Sequence, residues 1–245
     1  MTAVGQTKQA IRERVWSQLE QAGVVPPGVA GYIPDFQGTT QAALRLAALP
    51  VWELAQVIEV VPDRAQLPVR VRALEAGKLL YMAAPRLAED EPFYMLDPHH
   101  LGVEPTLAAD RAVAARTAPL AGPEDMPTID LIVCGSVAVN HDGVRLGKGA
   151  GYSDLEVALL AEAGVIGEHT AIATTVHELQ VLDEELPEQG HDFRVNLIVT
   201  PERVIRCDTH KRLPGVIWQL LSAEQIASIP ALARKARKFP PQYPE

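Results

Sequence analysis

Apolar residues along the chain follow two periods that alternate with each other. Ile11, Val15 and Leu19 recur at the spacing of one helix face and predict a helix over residues 6–22. Residues 55–61 form a short run rich in valine and isoleucine, which is typical of a strand. The same two patterns predict further helices over residues 39–49, 69–76, 107–117, 154–163 and 216–228, and further strands over residues 78–84, 93–96, 129–139, 171–176, 193–200 and 204–206.

This alternation of strands and helices predicts an α/β fold with a mainly parallel sheet that is covered on both faces. The run at residues 129–139 is apolar almost throughout, as expected for a strand that is buried on both sides. No internal repeat or linker-like segment interrupts the pattern, so we expect one domain over residues 1–245. Residues 230–245 end in a proline-rich sequence and are expected to form an extended tail.

Composition and charge narrow the classes of function. The chain has 245 residues, and the hydrophobic fraction of 47% suits a soluble globular protein with a sizeable core. The net charge of −9 argues against broad binding to nucleic acid or to an anionic membrane. We therefore expect neither a nucleic-acid partner nor a membrane partner, and a local basic site remains compatible with this charge.

The expected compartment is the cytoplasm. We find no signal peptide and no apolar run of the roughly 18 to 20 residues that a membrane span needs. Cys134 and Cys207 are far apart and form neither a disulfide framework nor a zinc motif, which favours a reducing environment.

The most informative stretch for chemistry is residues 143–154, which read GVRLGKGAGYSD. Its glycines allow a close approach of the backbone to an anion, and the helix predicted to follow would add free N–H groups and the positive end of a dipole. Arg145 and Lys148 add positive charge. The spacing matches neither the common P-loop nor the dinucleotide-binding fingerprint. On glycine spacing alone, a phosphate site and a solvated surface turn are equally good interpretations.

A second basic feature lies in the first predicted helix. Lys8 and Arg12 are four residues apart and project from the same side. Without further information, a solvated basic ridge is the simpler interpretation of this pair.

Several motifs in order resemble the 5-formyltetrahydrofolate cyclo-ligase family. The segment G-x-R-L-G-K-G-x-G-Y-x-D at 143–154 is similar to the family's nucleotide loop, and Lys8 with Arg12 resembles its N-terminal Lys-x-x-x-Arg. The resemblance runs from about residue 6 to about residue 206 and implies a three-layer αβα sandwich, in agreement with the alternation above. The supporting matches are Gly77-Lys78, Pro85-Arg86, Gln180, Leu186-Pro187 and His191-Asp192.

The resemblance implies an enzyme that uses ATP and Mg²⁺. In this family the formyl oxygen of 5-formyltetrahydrofolate is phosphorylated, the second folate nitrogen attacks, and phosphate leaves as the methenyl bridge closes. Arg145 and Lys148 would then be catalytic. The nucleotide would be bound by Lys8, Arg12, Arg145, Gly147, Lys148, Gly149, Ala150, Gly151 and Tyr152.

The same resemblance makes Asp154 and Asp192 the candidate ligands of Mg²⁺, either directly or through water. Two simpler interpretations stay open. Asp154 is also a suitable acid for the N-terminus of a helix, and Asp192 is also a typical turn residue.

The substrate side departs from the family pattern. Ser153 stands where the family has a second tyrosine, and Asp63 stands near the position of a family glutamate, which makes it a weak candidate for substrate binding. We therefore keep three hypotheses: a cyclo-ligase acting on a reduced folate, a divergent ATP-dependent enzyme acting on another heterocycle, and a non-catalytic nucleotide-binding protein. The sequence specifies neither the small-molecule substrate nor the oligomeric state.

Overall fold

The computed structural model describes residues 3–208, 213 and 215–238. The strands in this part of the chain are short and rich in valine, isoleucine and leucine. In chain order they are β1 (Val57–Val60), β2 (Leu79–Ala83), β3 (Phe93–Leu96), β4 (Leu120–Ala121), β5 (Leu131–Cys134), β6 (Ala138–Asn140), β7 (Arg145–Leu146), β8 (Ala171–Thr175), β9 (Val181–Leu182), β10 (Leu197–Val199) and β11 (Val204–Arg206).

Eight of these strands form one sheet in the order β11-β10-β8-β5-β1-β2-β3-β4. The five neighbours from β10 to β2 run parallel to one another, whereas β3, β4 and β11 are antiparallel additions at the two edges. The prediction of an α/β fold with a mainly parallel sheet is confirmed. Because parallel strands all end at the same edge, the loops that follow β1, β2 and β5 meet there.

Helices cover both faces of this sheet. On one face α2, α4, α5 and α6 pack against side chains such as Ile58, Leu80 and Val133, and on the other face α7 and α9 pack against side chains such as Tyr81 and Ile132. The expected three-layer αβα sandwich is therefore present. The helices are α1 (Ala3–Gln21), α2 (Thr39–Ala47), α3 (Pro50–Leu54), α4 (Leu67–Glu75), α5 (Pro105–Ala108), α6 (Arg111–Thr117), α7 (Tyr152–Glu162), α8 (Ala223–Ser228) and α9 (Pro230–Lys238).

α1 belongs to a smaller unit beside the sandwich. Its apolar face, which includes Val15 and Leu19, packs on a three-stranded sheet of order β7-β6-β9 and on the loop at residues 24–36. In this sheet β6 pairs antiparallel with β7 and parallel with β9. The basic side of α1 is consequently brought next to the loop that follows β7.

The strand predicted over residues 129–139 is wrong as a single element. The chain leaves the large sheet after β5, turns at Gly135 and Ser136, and starts β6 in the small sheet. A Cβ on Gly135 would lie 2.8 Å from Cγ2 of Ile33, so the turn requires a residue without a side chain. The Ser136 hydroxyl is 2.9 Å from the Thr174 hydroxyl, which ties the turn to β8.

Two predicted helices are also divided. The segment 107–117 breaks at Asp110, whose carboxylate accepts hydrogen bonds from two backbone N–H groups and caps α6. The segment 216–228 is helical mainly over α8, where Ser222 and Gln225 form a reciprocal N-terminal cap.

The extended tail expected over residues 230–245 is wrong in its first part. Pro230 begins α9, because proline is well suited to the first turn of a helix, and Ala231 and Leu232 are buried. The remainder of that segment, residues 239–245, lies outside the described residues. Within the described part, no helix combines the length and the apolar character needed to cross a bilayer.

Candidate active site

A cavity of about 810 Å³ opens where the parallel strands of the large sheet end. Residues 61–63 line it directly after β1, and residues 83–87 line it at the end of β2. α1, the segment 145–154 and the loop that carries Asp192 complete the wall. The cavity is large enough for a substantial small-molecule ligand, and its place is the edge at which α/β folds bind ligands.

The glycine-rich segment forms the turn from β7 into α7. Gly151 is the residue before the helix and has a left-handed backbone conformation (φ 75°), so no side chain caps the first N–H groups of α7. Gly149 is also left-handed (φ 101°), and a Cβ there would lie 3.4 Å from Cζ of Arg12. The turn thus exposes backbone donors at a helix N-terminus and lets a guanidinium group approach closely, as an anion site requires.

α1 contributes two buried cations to this turn. Lys8 is 7% exposed and Arg12 is 8% exposed, so the interpretation as a solvated basic ridge is wrong. Nε of Arg12 donates to the carbonyl oxygen of Gly147 at 2.6 Å, and Nζ of Lys8 lies 2.5 Å from Oδ2 of Asp192. Helix spacing places both side chains on the face of α1 that looks into the cavity.

Arg145 is held rigidly at the end of β7. It is 4% exposed, its guanidinium is ion-paired with Asp154, and its Cζ lies 3.7 Å from the centre of the Phe193 ring. Nε of Arg145 has no hydrogen-bond partner within the described structure. A planar cation fixed by a carboxylate and an aromatic ring is well prepared to bind an anion without further rearrangement.

Lys148 links the glycine turn to the other side of the cavity. Its Nζ lies 3.0 Å from Oδ1 of Asp63, the residue that follows β1. Among the candidate cations, Lys8, Arg145 and Lys148 each face an acidic partner, whereas Arg12 forms no ion pair with a described residue. Four cations thus face three ion-paired carboxylates at the turn, and Arg12 supplies the positive charge that no described ion pair balances.

Charge crowding is visible at Arg12. Burial lowers the pKa of its guanidinium, and the nearby Arg145 adds to that effect, whereas Asp192 and Asp154 act in the opposite direction. A polyphosphate bound at the turn would relieve the crowding of these cations.

The two candidate Mg²⁺ ligands differ in how their carboxylate oxygens are already hydrogen-bonded. Oδ2 of Asp192 already accepts from Lys8 and from the backbone N–H of Gln189 at 2.6 Å. Arg145 occupies only Oδ1 of Asp154. No group of three or more His, Cys, Asp or Glu side chains that could bind a metal by itself occurs in the described residues, which are 3–208, 213 and 215–238. Mg²⁺ fits here only as an ion that takes most of its ligands from phosphate and water, and Asp154 suits it better than Asp192.

A buried pair of carboxyl groups lies at the cavity, and one member of the pair lines it. Glu59 on β1 is 0% exposed, and neither of its oxygens has a hydrogen-bond donor among the described residues. Glu156 on α7 lines the cavity and lies against Glu59. Burial and the charge of Glu156 raise the pKa of Glu59 well above its usual range, and burial raises the pKa of Glu156 to about 7. Both shifts run in the same direction, so the pair favours retention of a proton.

The sequence prediction missed this pair, although a signal was present. Glu59 is the one charged residue between Val57 and Val61, a run otherwise made of apolar residues. A carboxyl group in the middle of a buried parallel strand indicates a functional or paired group, because its burial is costly. Glu156 likewise precedes an apolar run on α7, at Val157–Leu160.

Sequence comparison agrees with this geometry. A sequence model of the 5-formyltetrahydrofolate cyclo-ligase family matches residues 4–201, which include the glycine turn, the basic face of α1 and the loop that carries Asp192. The chain belongs to the 5-formyltetrahydrofolate cyclo-ligase family.

Similar proteins in vertebrates carry related names. A methenyltetrahydrofolate synthase domain-containing protein of Danio rerio is 36% identical over 238 residues, and one of Mus musculus is 37% identical over 240 residues. Both alignments cover 94% of this chain but only 62% and 63% of the respective relatives. The chain thus spans about three fifths of the length of the relatives it matches.

The fold is also found among solved structures. The 5,10-methenyltetrahydrofolate synthetase of Aquifex aeolicus superposes with a TM-score of 0.55 at 21% identity, over 86% of this chain and 98% of that one. At this level of identity the likeness establishes the architecture alone.

In this cyclo-ligase family member the predicted substrate-side residues lie at the same cavity as the nucleotide turn. Asp63 and Ser153 both line it, and Asp63 is bound to Lys148 of the turn. Gln189 and His191, which the sequence did not single out for binding, also line it. All residues predicted for nucleotide, metal and substrate therefore surround one cavity, and their roles stay predictions.

Proposed function

We propose that the protein is an ATP- and Mg²⁺-dependent 5-formyltetrahydrofolate cyclo-ligase that forms 5,10-methenyltetrahydrofolate. The observation that carries the proposal is the convergence of Lys8, Arg12, Arg145 and Lys148 on a glycine turn at the N-terminus of α7. Membership of the cyclo-ligase family and the names of the vertebrate relatives support a folate as the substrate.

The nucleotide would be bound through its phosphates at the turn. The backbone N–H groups of residues 147–152 supply donors, and the absence of a capping side chain at Gly151 leaves the helix N-terminus open to them. Among these four cations Arg12 alone forms no ion pair with a described residue, so it is the first candidate to bind a phosphate oxygen. Arg145 would stabilise charge that develops during phosphoryl transfer, because its carboxylate and aromatic partners fix its position in advance.

Mg²⁺, when bound with the nucleotide, would neutralise charge on the phosphate oxygens. The free oxygen of Asp154 is the candidate protein ligand, directly or through water. Asp192 would act mainly by holding Lys8 in place through their 2.5 Å contact.

The reaction we propose keeps the formyl carbon and its hydrogen in the methenyl bridge and transfers the formyl oxygen to phosphate. The formyl oxygen attacks the γ-phosphorus of ATP, an O–P bond forms, and ADP leaves. The second folate nitrogen then attacks the formyl carbon and loses its proton, while inorganic phosphate leaves with the former formyl oxygen. The protein contributes position and charge rather than a covalent group, as is general for phosphoryl transfer.

Lys148 is suited to sit between the two substrates. It belongs to the nucleotide turn, yet its partner Asp63 follows β1 on the predicted substrate side. With a nucleotide bound, Lys148 would be shared between a phosphate oxygen and Asp63. Exchange of Asp63 for a longer or neutral side chain would therefore change nucleotide binding as well as substrate binding.

A second candidate function is an ATP-dependent reaction on a different heterocycle. Ser153 in place of an aromatic residue, and Glu156 with the buried Glu59 behind it, give this cavity its own substrate-facing chemistry. Non-catalytic nucleotide binding is the third possibility, and the same assay distinguishes all three.

The test is a turnover assay with purified protein, Mg-ATP and 5-formyltetrahydrofolate. We expect methenyltetrahydrofolate absorbance to appear together with one equivalent of ADP. ADP release only with other heterocycles would support the second candidate, and calorimetric binding of ATP without any turnover would support the third. Mg-ATP binding in the absence of folate turnover would therefore refute the cyclo-ligase proposal while leaving the nucleotide site in place.

A further inference from the structure

Arg70 on α4 is a buried cation that the proposed phosphoryl transfer does not use. Its side chain is 2% exposed, lies on the apolar face of α4 beside Val69 and Ala73, and forms no ion pair with a described residue. Burial lowers the pKa of its guanidinium to about 10, whereas Asp63 and Asp110 act in the opposite direction, so the group stays charged at neutral pH. A buried cation in a position suited to an apolar residue is costly and indicates a specific role.

Three carbonyl oxygens accept hydrogen bonds from the guanidinium of Arg70. Nη1 donates to the carbonyl oxygens of Val61 at 2.6 Å and Asp63 at 3.0 Å, and Nε donates to that of Ala109 at 2.9 Å. Val61 and Asp63 belong to the β1 loop, which we define as residues 61–66, and both line the cavity. Because one planar group holds two carbonyls of this loop, Arg70 fixes its backbone from behind the cavity wall.

A second buried side chain holds the far end of the β1 loop. Gln66 is fully buried, and its Nε2 donates to the hydroxyl oxygen of Thr175 at 2.9 Å, at the end of β8. The loop is thus tied to α4 through Arg70 and to the large sheet through Gln66. From this fixed loop the Asp63 carboxylate reaches Nζ of Lys148, on the glycine turn, at 3.0 Å.

We propose that Arg70 is a positioning residue of the nucleotide site, which by fixing the β1 loop holds the Asp63 carboxylate where it competes with phosphate for Lys148. The pair formed by Asp63 and Lys148 is partly exposed, so this competition is modest and a polyphosphate can overcome it. A loosened loop would let Asp63 turn away and leave Lys148 to the phosphate. The inference rests on the proposed function for the presence of a phosphate at the glycine turn.

A purely structural role for Arg70 makes a different prediction. The three carbonyl groups need donors whether or not a ligand binds, so loss of the guanidinium lowers stability in either case. Only a positioning role makes the effect of an Arg70 substitution on nucleotide affinity depend on Asp63.

The first measurement is calorimetric titration of the full chain with Mg-ATP. The variants are Arg70→Lys, which keeps the charge but loses the planar fork of donors, Asp63→Asn, and the two combined. The control is Arg72→Lys, because Arg72 lies on the same helix, is partly exposed and is outside the cavity wall.

We expect Asp63→Asn to lower the dissociation constant of Mg-ATP by about threefold, as when a partly exposed ion pair no longer competes. Arg70→Lys should lower it by about twofold, and the combined variant should bind no more tightly than Asp63→Asn alone, because both changes release the same lysine. Arg72→Lys should bind like the wild type. Wild-type affinity in Asp63→Asn or in Arg70→Lys, or effects of the two substitutions that multiply, would each overturn the inference.

A second measurement needs neither a nucleotide nor a folded Arg70 variant. The backbone N–H of Gln66 donates to the carbonyl oxygen of Asp63 at 3.2 Å, so its hydrogen exchange, followed by NMR, reports opening of the β1 loop. If Arg70 holds the loop from behind, this exchange rate stays within about twofold of the wild type in Lys148→Gln. Acceleration by about tenfold or more would show that the loop is held from the glycine turn, and the inference would fail.

The outcomes separate this inference from the proposed function. A protein that binds Mg-ATP with the expected pattern of affinities but does not cyclise 5-formyltetrahydrofolate supports the inference and refutes the cyclo-ligase reaction. Cyclisation by a protein whose Arg70→Lys variant binds Mg-ATP like the wild type does the reverse. Absence of Mg-ATP binding would overturn both.

Discussion

Arg12 is the residue on which the nucleotide site depends most directly. It is buried, it approaches Gly149 closely, and it contacts the carbonyl oxygen of Gly147 without an acidic partner among the described residues. Its charge is therefore available to an anion at the turn. The sequence placed Arg12 beside Lys8 correctly, but only contact between α1 and a loop 135 residues later shows that the pair is buried.

We predict that Arg12→Gln raises the dissociation constant for Mg-ATP by about tenfold or more, because a hydrogen bond from a charged donor is lost. Isothermal titration calorimetry measures this change. The matched control is Arg14→Gln on the same helix, since Arg14 is half exposed and pairs with Glu184 away from the cavity wall. Equal affinity in the two variants would contradict a phosphate-binding role for Arg12.

The protonation of Glu59 makes the stability of the folded protein depend on pH. Its pKa is raised by burial and by the charge of Glu156, and the pKa of Glu156 is raised to about 7. The folded state therefore binds protons more tightly than the unfolded state. Stability from this pair is fully present below about pH 4.5 and is lost as the pH rises through 7.

We predict that the free energy of unfolding of the wild type falls between pH 5 and pH 8 by on the order of 2 kcal/mol from this pair. Glu59→Gln should flatten this dependence, because the amide donates to Glu156 at every pH. Urea unfolding at both pH values measures the difference, with Glu162→Gln as the control. A slope in Glu59→Gln that matches the wild type would show that the pair does not share a proton.

At the scale of elements, the period of apolar residues and the types of residue at turns were sufficient to predict the long helices and the central strands. The spacing of Ile11, Val15 and Leu19 predicted α1, and the apolar runs predicted β1, β2 and β8. The division of residues 129–139 was missed because both halves are apolar and buried, one in each sheet. Apolarity reports burial, and it does not distinguish which sheet a strand joins.

The turn between those halves gives a prediction for stability. Gly135→Ala would place a Cβ 2.8 Å from Cγ2 of Ile33, and we expect a loss of about 1–3 kcal/mol in the free energy of unfolding. Gly102→Ala is the control, because nothing lies within 4 Å of a Cβ there. Chemical denaturation of both variants measures the effect. A Gly135→Ala protein as stable as Gly102→Ala would mean that Ile33 moves aside without cost.

At the scale of the whole molecule, the alternation of elements was enough to predict a mainly parallel sheet between helices. The grouping of the candidate site residues also follows from topology, because β1 and β2 end at the same edge of the sheet. The contribution of α1 could not be derived this way, since its packing on the small sheet depends on long-range contacts. Glu59 differs from α1 in this respect. A charged residue in an apolar run was a signal in the sequence from which the buried acidic pair could have been predicted.

The most direct test of the whole account is the fate of the formyl oxygen. 5-Formyltetrahydrofolate labelled with ¹⁸O in the formyl group is incubated with the protein and Mg-ATP, and the inorganic phosphate is analysed by mass spectrometry. The account predicts one ¹⁸O atom in each phosphate released, with ADP and methenyltetrahydrofolate formed in equal amounts. Phosphate without label, or no phosphate at all, would contradict it.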